Sequence, residues 1–139
     1  MYGLNSAWLN VAEMRRLNGF QCRCLRVIQR IPPSFISRVP NKKVLQETGQ
    51  VQLGRQLLKH QLLLFGRVAR AAPDNPLRLL TFIPGSTDAA TERYIRKVGR
   101  PRNEWAVMLK RESYRMNSDF TSFISNELAW KRAVYMYCN

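Results

Sequence analysis

Apolar positions recur at helical spacing over residues 8–31. At 100° per residue, Leu9, Met14, Leu17, Phe20, Cys24, Leu25, Val27, Ile28 and Ile31 fall within one arc of roughly 160°. Arg15, Arg16, Arg23, Arg26 and Arg30 fall on the opposite arc, about 100° wide. The pattern predicts one amphipathic helix with a core face and a guanidinium face about 22 Å long. Gly19 weakens it by about 1 kcal/mol and marks a place for a break. Pro32-Pro33 ends it.

Residues 34–40 read as a connector closed by Pro40. Asn41 is a suitable N-cap for a short helix, Lys42 to Thr48, with Gly49 as its C′ residue. A longer helix follows, Leu53 to Ala71. Leu53, Leu57, Leu58, Leu62, Leu64, Phe65, Val68 and Ala69 share one half, and Arg55, Lys59, Arg67 and Arg70 the other, with Leu63 stranded among the cations. Pro73-Asp74-Asn75-Pro76 breaks the pattern, and Leu77 to Ile83 fits either a helical turn or a strand. Pro84 to Asp88 has the composition of a loop. Beyond Gly99, Pro101 fits the first turn of a helix on which Trp105, Met108 and Leu109 face inward. Ser118 or Asp119 caps a last helical region, with apolar clusters Phe120, Phe123, Ile124 and Leu128, Trp130, Ala133, Val134, Tyr137. The expected fold is all-α: one small domain of residues 1–139 with about five to six helices and Pro/Gly-rich connectors. Its parts are a basic helix (1–33), a helical core (41–71), an irregular connector (72–98) and C-terminal helices (99–139).

Charge turns this from a fold into a candidate binder. The chain carries 23 Lys plus Arg against 9 Asp plus Glu, a formal +14. Twelve of the cations and two of the acids lie in residues 1–70, so the excess sits mainly in the first half. Such a balance implies a polyanionic partner, nucleic acid first and acidic lipid behind it. No apolar run reaches the roughly 18–20 residues of a membrane span. Cys22, Cys24 and Cys138 cannot all pair and no secretory signal pattern is present, which points to an intracellular site, nuclear or cytoplasmic. Met1 to Ile31, arginine-rich with Glu13 as its one acid, has the composition of a mitochondrial presequence, the lesser reading beside a core-forming helix.

Catalytic patterns are missing. Cys22 and Cys24 are one residue apart, about 100° around a helix, with His60 and Cys138 distant, which is not a zinc-ligand spacing. His60, the sole histidine, has no serine or cysteine motif around it. The acids are scattered rather than paired as metal-assisted phosphoryl transfer or glycoside hydrolysis requires, and no phosphate-cradling glycine loop occurs. No catalytic residue, metal ligand or cofactor is expected, and the chain reads as a non-enzyme. Gly99-Arg100-Pro101-Arg102-Asn103-Glu104-Trp105 places two arginines on a backbone stiffened by proline. It reads either as a minor-groove hook or as the start of a tryptophan-anchored helix that leaves Arg100 and Arg102 free for phosphate. The helix start is favoured, because Val98 stands where the hook has a basic residue.

Four segments in order carry a family resemblance. They are Phe20-Gln21-Cys22-Arg23-Cys24-Leu25-Arg26, then Val39-Pro40-Asn41-Lys42-Lys43-Val44-Leu45 with Gly49, then Leu62 through Arg70, and Gly99 through Trp105. Together they resemble the region after the polymerase core in the endonuclease–reverse transcriptases of LINE-type (non-LTR) retrotransposons, over roughly residues 10–135. Arg67 stands where that family often has histidine, and Lys42-Lys43 where an acid is common. The paired-aspartate polymerase motif and any endonuclease domain are lacking. The resemblance implies a tail that supports RNA or target-DNA binding without catalysis, alone or beside a reverse transcriptase core.

The expected function is therefore phosphate-directed binding of RNA or DNA by Arg15, Arg16, Arg23, Arg26, Arg30, Arg55, Lys59, Arg67, Arg70, Arg100 and Arg102. The alternatives are a non-enzymatic module that docks an acidic protein or a membrane surface, and a pseudogene fragment with no selected activity.

Overall fold

The structure, a computed structural model, describes residues 3–90 and 104–139. Arg100, Arg102 and the segment from Gly99 to Asn103 lie outside the described residues. The described chain is all-α, with α1 (Val11–Ile28), α2 (Ser34–Ser37), α3 (Asn41–Thr48), α4 (Leu53–Ala69), α5 (Pro76–Thr81), α6 (Trp105–Met116), α7 (Phe120–Ser125) and α8 (Glu127–Cys138), preceded by a 3₁₀ turn at Leu4–Ser6. It divides into two compact units, one of residues 9–57 and one that joins the N-terminal eight residues to residues 58–138.

In the unit of residues 9–57, α1 is shorter than its apolar pattern predicts. It starts where Asn10 and Glu13 form a reciprocal capping box: the Asn10 side chain accepts from the Glu13 amide, and the Glu13 carboxylate accepts from the Asn10 amide. It continues through Gly19 and stops before Arg30, whose φ of 57° is left-handed. α1 packs on α3. α3 begins after Pro40 and ends at Gly49, whose φ of 62° suits a residue without Cβ. Asn41 is thus the first residue of α3 rather than its cap, and its side chain is turned to Arg26 instead.

The expected core arc of α1 is rotated. Gln21, Cys22 and Arg26 are buried, whereas Phe20, Val27 and Ile28 are 55%, 78% and 75% exposed. Polar bonding explains the rotation. The Gln21 amide donates to Val51 O at 2.9 Å and accepts from Leu53 N at 2.8 Å, and Asn18 Oδ1 accepts from Gly54 N at 2.9 Å. The first amides of α4, which have no intrahelical acceptor, are therefore capped from α1. Gly54 admits this approach, since a Cβ there would meet the Met14 sulfur and the Asn18 amide.

The unit of residues 58–138 has an apolar interior. Leu62, Phe65 and Val68 of α4, Phe82, Leu109 of α6, Phe120 and Ile124 of α7, and Trp130 and Val134 of α8 form one buried cluster. Phe65 sits among them, in edge contact with Phe82 and Trp105 at 5.3 and 6.1 Å and tilted against Trp130 at 6.4 Å. The buried Trp130 indole donates to Leu62 O at 3.0 Å, and a Cβ at Gly66 would overlap that ring, so glycine is required there by the close approach. Gln61 and Trp105 bind the N-terminal turn by donating to Leu4 O and Ala7 O, and to Asn5 O, respectively. Leu77 to Thr81 is helical, started by Asn75, whose side chain accepts from Leu77 N and Arg78 N. An isolated antiparallel bridge between Phe82 and Ala89 closes the following loop. α6 starts at Trp105 after an extended Glu104; Pro101, expected in its first turn, lies outside the described residues.

Candidate nucleic-acid interface

On α1 the structure separates the five arginines. Arg15, Arg16 and Arg23 are exposed on the helix, and Arg30 is exposed just beyond it. Arg26 is only 5% exposed and does not belong to the cationic face. Its guanidinium donates to Pro32 O, Ser37 Oγ, Val39 O and Asn41 Oδ1 at 2.5–3.3 Å, gathering the chain from the end of α1 to the start of α3. The fork geometry and permanent charge of arginine suit this crowd of carbonyl and side-chain oxygens. Its charge also partly offsets the burial that pushes the Cys22 thiol above its ordinary pKa.

Rotation of α1 has a second effect. Arg16, Phe20, Arg23 and Val27 follow one another at steps of four, three and four residues, so they share one exposed face. No carboxylate among the described residues pairs with Arg15, Arg16 or Arg23. Phe20 and Val27, which sequence periodicity assigns to the core, therefore join Arg16 and Arg23 in a mixed stripe of exposed apolar groups and guanidiniums without a carboxylate partner among the described residues. Cys24, expected as a small buried hydrophobe, is exposed too. Arg55, at the start of α4, is exposed and belongs to the same unit.

The cations of the other unit are more engaged. Lys59 places its ammonium 3.7 Å from the centre of the Tyr135 ring, a cation–π contact. Arg70 is half-buried and donates to Ile124 O at 2.9 Å, tying α4 to the end of α7. Arg67 is exposed. Arg67 and Arg70 line a cleft between α4 and α8, with a cavity volume of about 720 Å³. Leu63, Leu64 and Ala71 supply its apolar wall, and Glu127 and Lys131 come from α8. Lys131 donates to Glu127 at 2.5 Å. That bond and the Lys131 charge, with weaker contributions from Arg70 and Arg67, hold the Glu127 carboxyl below its ordinary pKa. Lys131 is the cation that sequence reasoning missed. Its signal was the Glu127–Lys131 spacing of four residues, together with Leu63 stranded among the cations of α4.

Among the described residues, no group of three or more His, Cys, Asp or Glu is placed to hold a metal ion, and no helix is long and apolar enough to cross a membrane. His60 is exposed. The chain matches no protein-family model, no curated protein and no solved structure.

Proposed function

We propose that this chain is a non-enzymatic nucleic-acid-binding module, for RNA or DNA, that works through phosphate contacts with α1 as a principal surface. The observation that carries the reading is the stripe of Arg16, Phe20, Arg23 and Val27, flanked by Arg15. A merely solvated basic face needs charge alone. This one interleaves unpaired guanidiniums with an exposed ring, which combines phosphate attraction with a stacking surface for unpaired bases. Arg30 and Arg55 are further exposed cations of the same unit, and Lys59, Arg67 and Arg70 are the proposed phosphate contacts of the other. Arg100 and Arg102 complete the proposed set. Descent from a non-LTR retrotransposon reverse transcriptase tail is supported by the order of the four sequence motifs. A reading frame upstream of Met1 that carries the paired-aspartate motif would test it.

Fluorescence anisotropy with labelled RNA and DNA tests the binding role. If six to ten cations meet phosphates, affinity falls about 10³–10⁵-fold between 50 and 200 mM salt. Combining Arg16→Gln with Arg23→Gln lowers both affinity and salt slope while the fold is kept. A flat salt response, or unchanged binding by that double variant, overturns the reading.

The runner-up, docking to an acidic protein or lipid surface, draws on the apolar side of the same unit. Val27, Ile28, Phe35 and Ile36 are all exposed in that unit, the last two at 82% and 63%. Binding to anionic vesicles with none to nucleic acid would favour it.

A further inference from the structure

The cleft between α4 and α8 has a composition that phosphate steering alone does not require. A patch that only attracts a nucleic-acid backbone needs exposed positive charge, and neither concavity nor an apolar wall serves it. Here both are present. A cavity of about 720 Å³ falls within the range of about 300–1,000 Å³ typical of small-ligand sites. Leu63, Leu64 and Ala71 form one wall, and three cations surround it. Arg67 on α4 and Arg70, the residue just past its end, are three residues apart and both line the cleft. Lys131 faces them from α8. Arg70 is anchored by its bond to Ile124 O, which fixes one cation in advance of any ligand. A carboxylate, Glu127, stands among the cations. In a pure anion site it would oppose binding, whereas a ligand that carries N–H or O–H donors as well as an anion uses all three kinds of wall.

We propose that this cleft binds a nucleoside monophosphate unit, either free or as an unpaired residue of a strand. Its phosphate lies against Arg67, Arg70 and Lys131, its base covers Leu63 and Leu64, and Glu127 accepts from the base or the ribose hydroxyls. The strand-borne form rests on the nucleic-acid reading of the chain; the free form does not. Glu127 also has a purely structural explanation, because an acid in the first turn of a helix is favoured and a lysine four residues on pairs with it. The test separates the two roles.

Isothermal titration of the full chain with guanosine and adenosine monophosphates, the corresponding nucleosides and inorganic phosphate examines the cleft directly. The mononucleotides bind at least about tenfold tighter than either the nucleoside or phosphate alone, since only they engage both walls. Arg67→Gln combined with Lys131→Gln removes this binding, with helical content by circular dichroism unchanged because both side chains are exposed. Arg16→Gln combined with Arg23→Gln leaves it unchanged. Glu127→Gln weakens the mononucleotide and not phosphate; tighter mononucleotide binding on loss of the negative charge overturns the acceptor role. Equal affinity for mononucleotide and phosphate, or indifference to the Arg67/Lys131 pair, overturns the site. A single-stranded oligonucleotide that competes with the mononucleotide, while a duplex does not, assigns the strand-borne source; competition by neither assigns the free nucleotide. Loss of long-strand binding with intact mononucleotide binding sinks only the nucleic-acid reading. The reverse result sinks only this one.

Discussion

Around Phe65 the interior is aromatic, with Phe82, Trp105 and Trp130 against one ring and Trp130 closing on a glycine. Around Arg26 it is polar, with one guanidinium holding four oxygens and with Gln21 and Asn18 capping a helix start. The first unit is organised by area removed from water, which is non-directional and tolerates repacking. The second depends on directed bonds whose partners are costly to leave unpaired. The consequence reaches the surface. Where polar side chains occupy the inside of α1, its apolar residues are left outside among the arginines, and that displaced stripe is the proposed binding surface.

The largest effect that separates the two units is removal of Trp130. Trp130→Ala opens a cavity beside Phe65 and deletes the bond to Leu62 O, for a loss of about 3–5 kcal/mol in urea-induced unfolding. Next comes Arg26→Gln. It strands several of the oxygens that Arg26 satisfies and costs about 2–3 kcal/mol. Its neighbour Arg23→Gln, exposed and unpaired, changes stability by less than about 0.5 kcal/mol while weakening nucleic-acid binding. If Arg23→Gln destabilised the protein as much as Arg26→Gln, the division of α1 between structure and surface would be wrong.

That pair of arginines also shows what the sequence can disclose. Hydrophobic periodicity located α1 and α4, and end signals at Asn41 and Gly49 located α3, because helical repeats and helix ends are local. In the aromatic unit it mostly chose the right face: Leu62, Phe65, Val68, Leu109, Trp130 and Val134 are buried as their spacing implies, whereas Leu128, grouped with Trp130 and Val134, is exposed. It failed on α1 because Arg26 and Gln21 count as polar in any repeat, yet their acceptors, from Pro32 to Leu53, are brought near only by the fold. A pattern that treats every arginine alike cannot tell the one that is enclosed. The α4–α8 cleft was half legible. Arg67 and Arg70 were visible on their helix, but Lys131 and Glu127 come from a helix more than fifty residues later.

A smaller effect isolates the start of α1. Asn10→Ala removes the capping box and costs about 1 kcal/mol. Amide exchange accelerates first in the opening turn of α1, while the amides near Phe65 keep their protection. Uniform acceleration through both units would mean that the cap governs global rather than local opening.

The smallest effect is in pH dependence, and it contrasts the two kinds of polar contact. In the aromatic unit, the Lys110 ammonium and the Ser86 hydroxyl donate to the Asp88 carboxylate, and with the Lys110 charge they hold its pKa below the usual carboxylate range. A folded-state pKa below the unfolded one contributes stability that is present above the unfolded value and is lost as pH falls through the folded value. The carboxylate is partly open to solvent, at 42% side-chain exposure, so the contribution is small and screened by salt. The thermal midpoints of the wild type and Asp88→Asn therefore converge as the solution is acidified from neutrality. The acceptors of Arg26 are carbonyl, hydroxyl and amide oxygens rather than carboxylates, so the deficit of Arg26→Gln stays constant. An Arg26→Gln deficit that shrank in acid would require a carboxylate in its network, contrary to the four acceptors in the structure.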